Sequence, residues 1–345
     1  MLPSPARKAH RGCGAAGSAP AWHAGGQGFK SPQLHVSSIP TIPQGWNTKN
    51  IGDLSGKKFL ITGGTSGIGK EAARELIRAG AHVTITARDA QKGEATALEL
   101  GSKNISVGSL DLTSLESISE FAKSVTEEFD VLVLNAGVMA TPLAHTEDGF
   151  ELQLGTNHLG HFALAGLLHS KVTDRIVSVA SQAHRLGNFG DGSKEEILRR
   201  AKGVGAYKPW GAYGDSKLAN LLFTNELQRR IMKNNWRFSA YAVHPGYSNT
   251  NLQSVSPAMR GASAEARVTA AANALIAQSA SRGALPTLCA ATHSPLVGAT
   301  YIGPDGFMEM RGFPKLTRAA GIAYDQELAA NLWAVSEELT GVTWG

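Results

Sequence analysis

Short apolar runs alternate with amphipathic helical patterns along most of the chain. Seven runs have the length and the composition of buried strands, and they are 57–62, 81–87, 105–110, 130–135, 175–181, 237–243 and 299–303. Three segments between them carry apolar residues at helical spacing, namely 70–80, 90–100 and 115–129. This alternation predicts an α/β fold with a doubly wound parallel sheet, in which ligands bind beyond the carboxyl ends of the strands.

The first predicted strand leads into a glycine-rich turn at 62–69, TGGTSGIG. Its glycines permit a tight turn, close approach of the backbone to a pyrophosphate and close packing of helix on strand, and the following helix offers free N–H groups. The predicted cofactor-binding residues here are Gly63, Thr65, Ser66, Gly67, Ile68 and Gly69. The spacing G-x-x-x-G-x-G differs from the dinucleotide fingerprint G-x-G-x-x-G, so a purely structural turn stays an alternative.

The end of the second strand bears on the choice of cofactor. Where an NAD-binding protein places a carboxylate for the ribose hydroxyls, this chain has Ala87 followed by Arg88. A guanidinium suits a 2′-phosphate, so NADP is favoured over NAD. NAD remains open because Asp89 is an acid about 20 residues beyond the glycine turn, as is typical of NAD binding. The simplest alternative makes Arg88 a solvated surface charge.

A tyrosine and a lysine stand one turn apart in the predicted helix around 211–223. Tyr213 and Lys217 are at i and i+4, so both side chains project from one face. An ammonium group near a phenol favours the phenolate and lowers its pKa, which makes Tyr213 a candidate general acid/base. The spacing alone is weak support, because a surface tyrosine stacked on a lysine stem gives the same pattern.

Charge and cysteine content exclude several classes of function. The net charge of +5 comes from residues 1–50, which hold five basic residues and no acid, while the rest of the chain is neutral. A nucleic-acid partner is therefore not expected. Cys13 and Cys289 provide neither a disulfide framework nor metal-ligand spacing, and a cytoplasmic location is expected.

The first 44 residues differ in composition from the rest. They lack periodic apolar positions and are rich in Gly, Ala, Pro, Ser and His, which predicts disorder. They contain no signal-peptide core and no 18-residue apolar span, so neither export nor a membrane anchor is predicted. The preferred alternative is a misassigned start codon, with the native chain beginning near Val36. Mass spectrometry that finds residues 1–30 intact would refute it.

Seven motifs occur in an order that resembles the short-chain dehydrogenase/reductase family. They are TGGTSGIG, Asp111 with Leu112, Asn135 with Ala136 and Gly137, Asn157 in TNHLGHF, Ser181, Tyr213 with Lys217, and His244 with Pro245 and Gly246. Within the family, DVLVLNAGV, AYGDSKLANLLF and SEELTGV are similar to the retinol-dehydrogenase-like branch. The resemblance runs from about residue 51 to 345 and implies one domain over that range.

The resemblance implies four catalytic residues. Tyr213 would exchange a proton with the substrate oxygen, and Lys217 would lower the pKa of Tyr213 and bind the nicotinamide ribose. Ser181 would hydrogen-bond the substrate oxygen, with Ser178 as the neighbouring alternative. Asn157 would hold a water that links Lys217 to solvent, unless it only satisfies local backbone groups.

It also implies the remainder of the cofactor site. Asn135, Ala136 and Gly137 would line the adenosine side, and Asp111 with Leu112 would lie at the adenine. The alternative for Asp111 is to cap the helix that starts near Ser114. Pro245, Gly246 and Thr250 would border the nicotinamide.

Residues 184–210 form an insertion beside the expected cleft, and 247–265 fall at the family's substrate loop, whose composition suggests a mobile lid. The expected apolar pocket wall is Leu186, Phe189, Tyr207, Trp210, Leu252 and Met259. The histidines at 158, 161, 184 and 244 are expected to pack or cap rather than to bind metal. The family pairs helices corresponding to 157–169 and 213–232, which leaves a homodimer open.

Together these features predict an NADP-preferring alcohol dehydrogenase or carbonyl reductase that acts on a hydrophobic small molecule. The likeness does not imply a retinoid substrate, because the sequence lacks the apolar anchor of membrane-bound retinol dehydrogenases. The alternative function is a cofactor-binding scaffold or redox sensor that acts through protein contacts.

Overall fold

The computed structural model describes residues 41–101, 103–248 and 277–345. Eight strands in these ranges form one sheet in the order β3-β2-β1-β4-β5-β6-β7-β8. They are β1 Lys58–Ile61, β2 His82–Ala87, β3 Ile105–Ser109, β4 Phe129–Leu134, β5 Val172–Val179, β6 Ser239–Val243, β7 Tyr301–Pro304 and β8 Pro314–Leu316. Neighbouring strands are parallel except β7 and β8, which are antiparallel. The predicted doubly wound α/β sheet is confirmed.

The α-helices connect the strands and cover both faces of the sheet. They are α1 Gly67–Arg78, α2 Ala90–Leu100, α3 Leu115–Ser124, α4 Leu152–Leu154, α5 Gly160–Leu168, α6 Lys194–Ala201, α7 Pro209–Asn234, α8 Ala280–Gly283, α9 Leu285–Thr292 and α10 Gln326–Thr340. A π-helical turn, Gly155–Leu159, joins α4 to α5. Among the described helices, none combines the length and the hydrophobicity needed to cross a bilayer.

Alternate residues of the central strands enter separate cores. Phe59 and Ile61 pack on one side of the sheet with α1 and α9, and Leu60 packs on the other side with α3, α5 and α10. A parallel sheet covered on both faces needs such nearly continuous apolar strands. The two layers hold the carboxyl ends of β1 and β4 side by side, where connections leave in opposite directions and a crevice opens.

The predicted helix 115–129 is wrong at its end. α3 stops at Ser124, because Val125 adopts an extended conformation with φ −78° and ψ 102°. Phe129 fits the helical spacing of the preceding apolar residues, but it begins β4 and is buried in the core.

Of the segment 1–44, only 41–44 is described, and Ile42 there packs against the core.

Candidate active site

A cavity of about 1140 Å³ lies at the carboxyl ends of β1, β2, β4, β5 and β6. All the described residues predicted to bind the cofactor line it, and they are Gly63, Thr65, Ser66, Gly67, Ile68, Gly69, Arg88, Asp111, Leu112, Asn135, Ala136, Gly137, Tyr213, Lys217, Pro245 and Gly246. Ser181 lines it as well, whereas Asn157 lies behind its wall. Thr250 lies outside the described residues, as do 249–265 of the expected substrate loop.

The glycine turn fits tightly against the end of β4. Gly63 has φ +67°, and a Cβ there would lie 2.9 Å from Ala136. A Cβ on Gly69 would lie 2.5 Å from Asn135 Nδ2. Ser66, at the start of α1, makes no side-chain cap. The N–H groups of the first helical turn are therefore left for an anion in the cavity.

Asn135 joins the glycine turn to the end of β4. Its Nδ2 donates to the carbonyl oxygen of Thr62 at 2.8 Å, and its backbone N–H donates to Thr62 Oγ1 at 2.9 Å. Thr62 Oγ1 also lies 2.8 Å from His161 Nε2. Burial lowers the pKa of His161 to about 3, so this ring is neutral. The Asn135 amide thus fixes the shape of the turn.

Tyr213 and Ser181 meet at one wall of the cavity, where the Ser181 side chain acts on the Tyr213 phenol. Ser181 lies two residues after the end of β5 and is the N-cap of the 3₁₀ turn Gln182–Leu186, with its Oγ accepting from the N–H of Ala183 at 3.1 Å. Ser178 is buried within β5 and does not reach the cavity wall. Of the two serines considered, the geometry places Ser181 beside the phenol.

Lys217 is also buried, 4% exposed, with its Nζ 5.7 Å from the centre of the Tyr213 ring. The ammonium donates to the carbonyl oxygen of Val179 at 3.0 Å, an acceptor that Asn220 Nδ2 shares at the same distance. These contacts hold the lysine beneath the end of β5.

Burial controls the ionisation of both α7 side chains. It raises the pKa of Tyr213 to about 12, against the lowering effect of the Ser181 hydrogen bond, and it lowers the pKa of Lys217 to about 8. Removal from water disfavours the charged form of each group, so the phenol is protonated at neutral pH. That Lys217 lowers the pKa of the phenol stays a prediction.

Asn157 lies in the π-helical turn, a feature that often marks functional sites. Its Oδ1 accepts from the N–H of Val138 at 2.8 Å, and its Nδ2 donates to Val138 O and to Ser216 Oγ, both at 2.9 Å. Both amide hydrogens are thus used. The side chain supports the backbone beside Gly137, whose Cβ would lie 2.8 Å from Asn157 Oδ1. The Asn157 side chain therefore satisfies the backbone groups of Val138, 19 positions away in the sequence, rather than local backbone groups.

The end of the cavity beyond β2 carries basic side chains. Arg88 and Lys92 are exposed and line it, whereas the carboxylate of Asp89 caps α2 by accepting from the N–H of Lys92 at 3.1 Å. Lys92 is absent from the sequence prediction, although its place one turn after Arg88 signals it.

Asp111 accepts from the N–H and the hydroxyl of Thr113.

The alternative that Asp111 caps α3 is wrong, because Ser114 is the N-cap. The shorter side chain of Ser114 sits immediately before the helix and accepts from the N–H of Ser117.

The predicted apolar wall is largely wrong among the described residues. Trp210 lines the cavity, but Phe189 is fully buried in the core and Leu186 is 60% exposed to solvent. The Tyr207 hydroxyl bonds to Glu151 instead. Leu252 and Met259 lie outside the described residues. The cavity is also lined by residues that the sequence did not indicate, and these include Met139, Thr141, Leu152, Gln182, Arg185, Met308, Glu309 and Met310.

The histidines singled out in the sequence each have a protein partner. His158 lies 2.9 Å from Ser336 Oγ, His184 Nδ1 lies 2.6 Å from Ser181 O, and His244 Nε2 lies 2.9 Å from Glu309 Oε2. Within 41–101, 103–248 and 277–345, no three His, Cys, Asp or Glu side chains are grouped as metal ligands.

The fold, the glycine turn and the Ser181, Tyr213 and Lys217 cluster define a dinucleotide-binding oxidoreductase class. Comparison with known proteins agrees, since residues 57–192 match the family model for short chain dehydrogenase. Human retinol dehydrogenase 13 is 35% identical over 300 residues, which cover 84% of this chain and 86% of that protein. The chain belongs to the short-chain dehydrogenase/reductase family of NAD(P)-dependent oxidoreductases, in a branch that resembles the retinol dehydrogenases.

Two further similarities show how far the likeness extends. Human retinol dehydrogenase 11 is 42% identical over 218 residues, 60% of this chain and 66% of its own length. The crystal structure of an uncharacterized protein from Mycobacterium Paratuberculosis superposes with a TM-score of 0.73 at 41% identity, covering 88% of this chain and all of that one.

Proposed function

We propose that this protein transfers a hydride between NADP(H) and the alcohol or carbonyl carbon of a hydrophobic small molecule, with Tyr213 as general acid/base. The observation that carries the proposal is that the Tyr213 and Ser181 side chains lie together at the wall of the cavity that the glycine turn also lines. Two hydroxyls at one point can both hold a single substrate oxygen.

The bound nicotinamide supplies or accepts the hydride. During reduction the substrate carbonyl oxygen gains negative charge, and the Ser181 and Tyr213 hydroxyls donate to it, which stabilises that charge. Because burial keeps the Tyr213 phenol protonated at neutral pH, it is ready to give its proton to the developing alkoxide. Lys217, held below the phenol, favours the resulting phenolate.

Asn157 serves this cluster indirectly. By bonding both backbone groups of Val138 and the Ser216 hydroxyl, it ties the end of β4 to α7. Ser216 in turn donates to the carbonyl oxygen of Tyr213 at 2.8 Å. We therefore assign Asn157 a positioning role in place of the expected water-holding role of its side chain.

The preference for NADP rests on the charge beyond β2. Arg88 and Lys92 line that end of the cavity, and the carboxylate of Asp89 is engaged at the start of α2. Two cations suit a 2′-phosphate, whereas a carboxylate in use as a helix cap is poorly placed for ribose hydroxyls. Arg88→Ala is expected to weaken NADPH binding by far more than NADH binding.

A hydrophobic substrate is supported by the other end of the cavity. Met139, Leu152, Trp210 and Met308 supply apolar surface to the cavity, and the Trp210 ring lies against that of Tyr213 with centroids 5.9 Å apart. The two human relatives are named for retinol, an apolar alcohol, which agrees with this substrate class. The cytoplasmic location and the homodimer stay predictions.

Tyr213→Phe tests the proposal. We expect turnover of hydrophobic aldehydes with NADPH to fall by about 10²–10⁴-fold, since only the proton-transfer group is removed, while the Kd for NADPH changes little. Tyr241→Phe is the matched control, because it removes another buried tyrosine hydroxyl, bonded to Leu296 O away from the cavity.

Equal losses of binding and turnover in Tyr213→Phe would contradict the assigned role. A wild-type protein that binds NADPH but turns over no aldehyde, ketone or alcohol of a broad panel would favour the scaffold or redox-sensor alternative.

A further inference from the structure

A buried histidine and a carboxylate form a pair at the wall of the cavity. His244 is fully buried directly after β6, and its Nε2 lies 2.9 Å from Glu309 Oε2. Gln182, which follows Ser181, donates to the same carboxylate oxygen, and Thr317 donates to the other one. Glu309 and Gln182 both line the cavity. One carboxylate therefore joins segments that follow β5, β6 and β7.

The proton on His244 can be placed from its neighbours. The backbone N–H of Gly246 donates to Nδ1 at 3.3 Å, so Nδ1 is an acceptor and carries no proton. The proton of the neutral ring is then on Nε2, which points at Glu309. Burial lowers the pKa of His244, in keeping with a neutral ring, and the hydrogen bond to His244 lowers the pKa of Glu309 to about 2.

The backbone around this pair is tightly constrained. Met308 and Glu309 have φ values of 50° and 56°, a left-handed conformation that costs free energy in residues other than glycine. Opposite them, Gly246 has φ +68°, and a Cβ there would lie 2.4 Å from Met310 O. The N–H of Tyr247 donates to the same carbonyl at 2.6 Å. The two loops thus pack backbone against backbone.

The histidine ring is accommodated on its far side by a glycine. A Cβ on Gly303, in β7, would lie 1.9 Å from His244 Nε2. Tyr301 packs against the ring with centroids 5.2 Å apart. The ring is held on all sides, so its hydrogen bonds to Glu309 and Gly246 have defined directions.

We propose that Glu309 and His244 are positioning residues that fix the loop carrying Pro245 and Gly246 at the nicotinamide end of the cavity. Glu309 holds the Nε2–H form of His244, and this form accepts the Gly246 N–H on its other nitrogen. The inference rests on the proposed function, because it assigns the loop at 245–246 to the cofactor. It adds a carboxylate, 128 positions in sequence from Ser181, as a determinant of cofactor affinity.

The pair also predicts how affinity depends on pH. Protonation of His244 at low pH places a proton on Nδ1, opposite the Gly246 N–H, and this disrupts the loop. Glu309 favours that protonation, whereas Arg185, Lys315 and the neighbouring His184 oppose it. In Glu309→Gln the amide oxygen can still accept from Nε2–H, but the negative charge is gone. The pH below which NADPH affinity falls should therefore move lower.

The experiment measures the Kd for NADPH by fluorescence titration across pH, together with thermal unfolding midpoints. Glu309→Ala is expected to raise the Kd about tenfold at neutral pH. Glu309→Gln is expected to retain most of the affinity for NADPH at neutral pH. The pH below which this affinity falls, the acid limb of the profile, is expected to be lower than in the wild type. The loss of a merely structural contact would not move it. Glu128→Gln is the control, because Glu128 pairs with Arg237 and lies just before β4, at the amino-terminal end of the strand and away from the cavity.

Unchanged NADPH affinity in a folded Glu309→Ala would overturn the inference. If that variant does not fold, Glu309→Gln decides, since an acid limb at the wild-type position would overturn it equally. A wild-type protein that binds no dinucleotide would refute the proposed function and this inference with it. Binding by the wild type with unaffected Glu309 variants would refute the inference alone.

Discussion

Replacing Lys217 by methionine should make the protein more stable while it loses activity. The ammonium is buried, and burial lowers its pKa from 10.5 to about 8. A shift of this size corresponds to about 3 kcal/mol of unfavourable free energy in the folded state. Methionine has a similar length and no charge to desolvate, so this cost disappears in Lys217→Met.

One hydrogen bond is lost in exchange. Lys217 donates to Val179 O, a contribution of about 1 kcal/mol, but Asn220 still donates to that carbonyl in the variant, so no buried acceptor is left unpaired. The net expectation is a gain of about 2 kcal/mol in the free energy of unfolding at pH 7. A protein that gains stability when a functional lysine is removed shows that the lysine is kept for its chemistry.

The sign of the pH dependence makes the test specific. The folded-state pKa of Lys217 lies below its unfolded value, so the cost is fully present below about pH 8. It fades as the pH rises towards 10.5, because the unfolded chain then also loses the proton. The free energies of unfolding of wild type and Lys217→Met, measured with urea, should therefore differ at pH 7 and converge near pH 10.

Lys123→Met is the matched control, since Lys123 is exposed on α3 and its loss should change stability by less than about 0.5 kcal/mol. A Lys217→Met variant that is less stable than wild type at pH 7, or whose advantage is the same at pH 10, would refute the assignment of the cost to a buried charge.

Two further substitutions test other parts of the site. Gly69→Ala should raise the Kd for NADPH at least about tenfold in a fluorescence titration, because its Cβ would lie 2.5 Å from Asn135 Nδ2; Gly52→Ala, with open space around it, should bind normally. Burial raises the pKa of Asp215 to about 6, so the charged carboxylate destabilises the folded state above pH 6. This destabilisation is relieved as the pH falls towards 4. Asp215→Asn should remove that relief, and identical slopes of unfolding free energy against pH in variant and wild type would contradict this.

Local sequence patterns predicted the strands and the glycine turn well, because each of these elements depends mainly on residues that are close together in the sequence. The run 57–62 places β1 within one residue of its ends, and the helical pattern after the glycine turn places α1 within three. Arg88 is recognisable from its place directly after β2. Helix ends were less accurate, since Phe129 suits a helical spacing equally well and only the core assigns it to β4.

By itself the sequence determined the fold class and which residues gather at the carboxyl ends of the strands. The tertiary structure decided their chemical state and their supports. It raised the pKa of Tyr213 through burial, and it directed Asn157 to Val138. It also brought Glu309 to His244 across 65 positions. Burial and long-range hydrogen bonds depend on several segments packing at once, and no single segment encodes them.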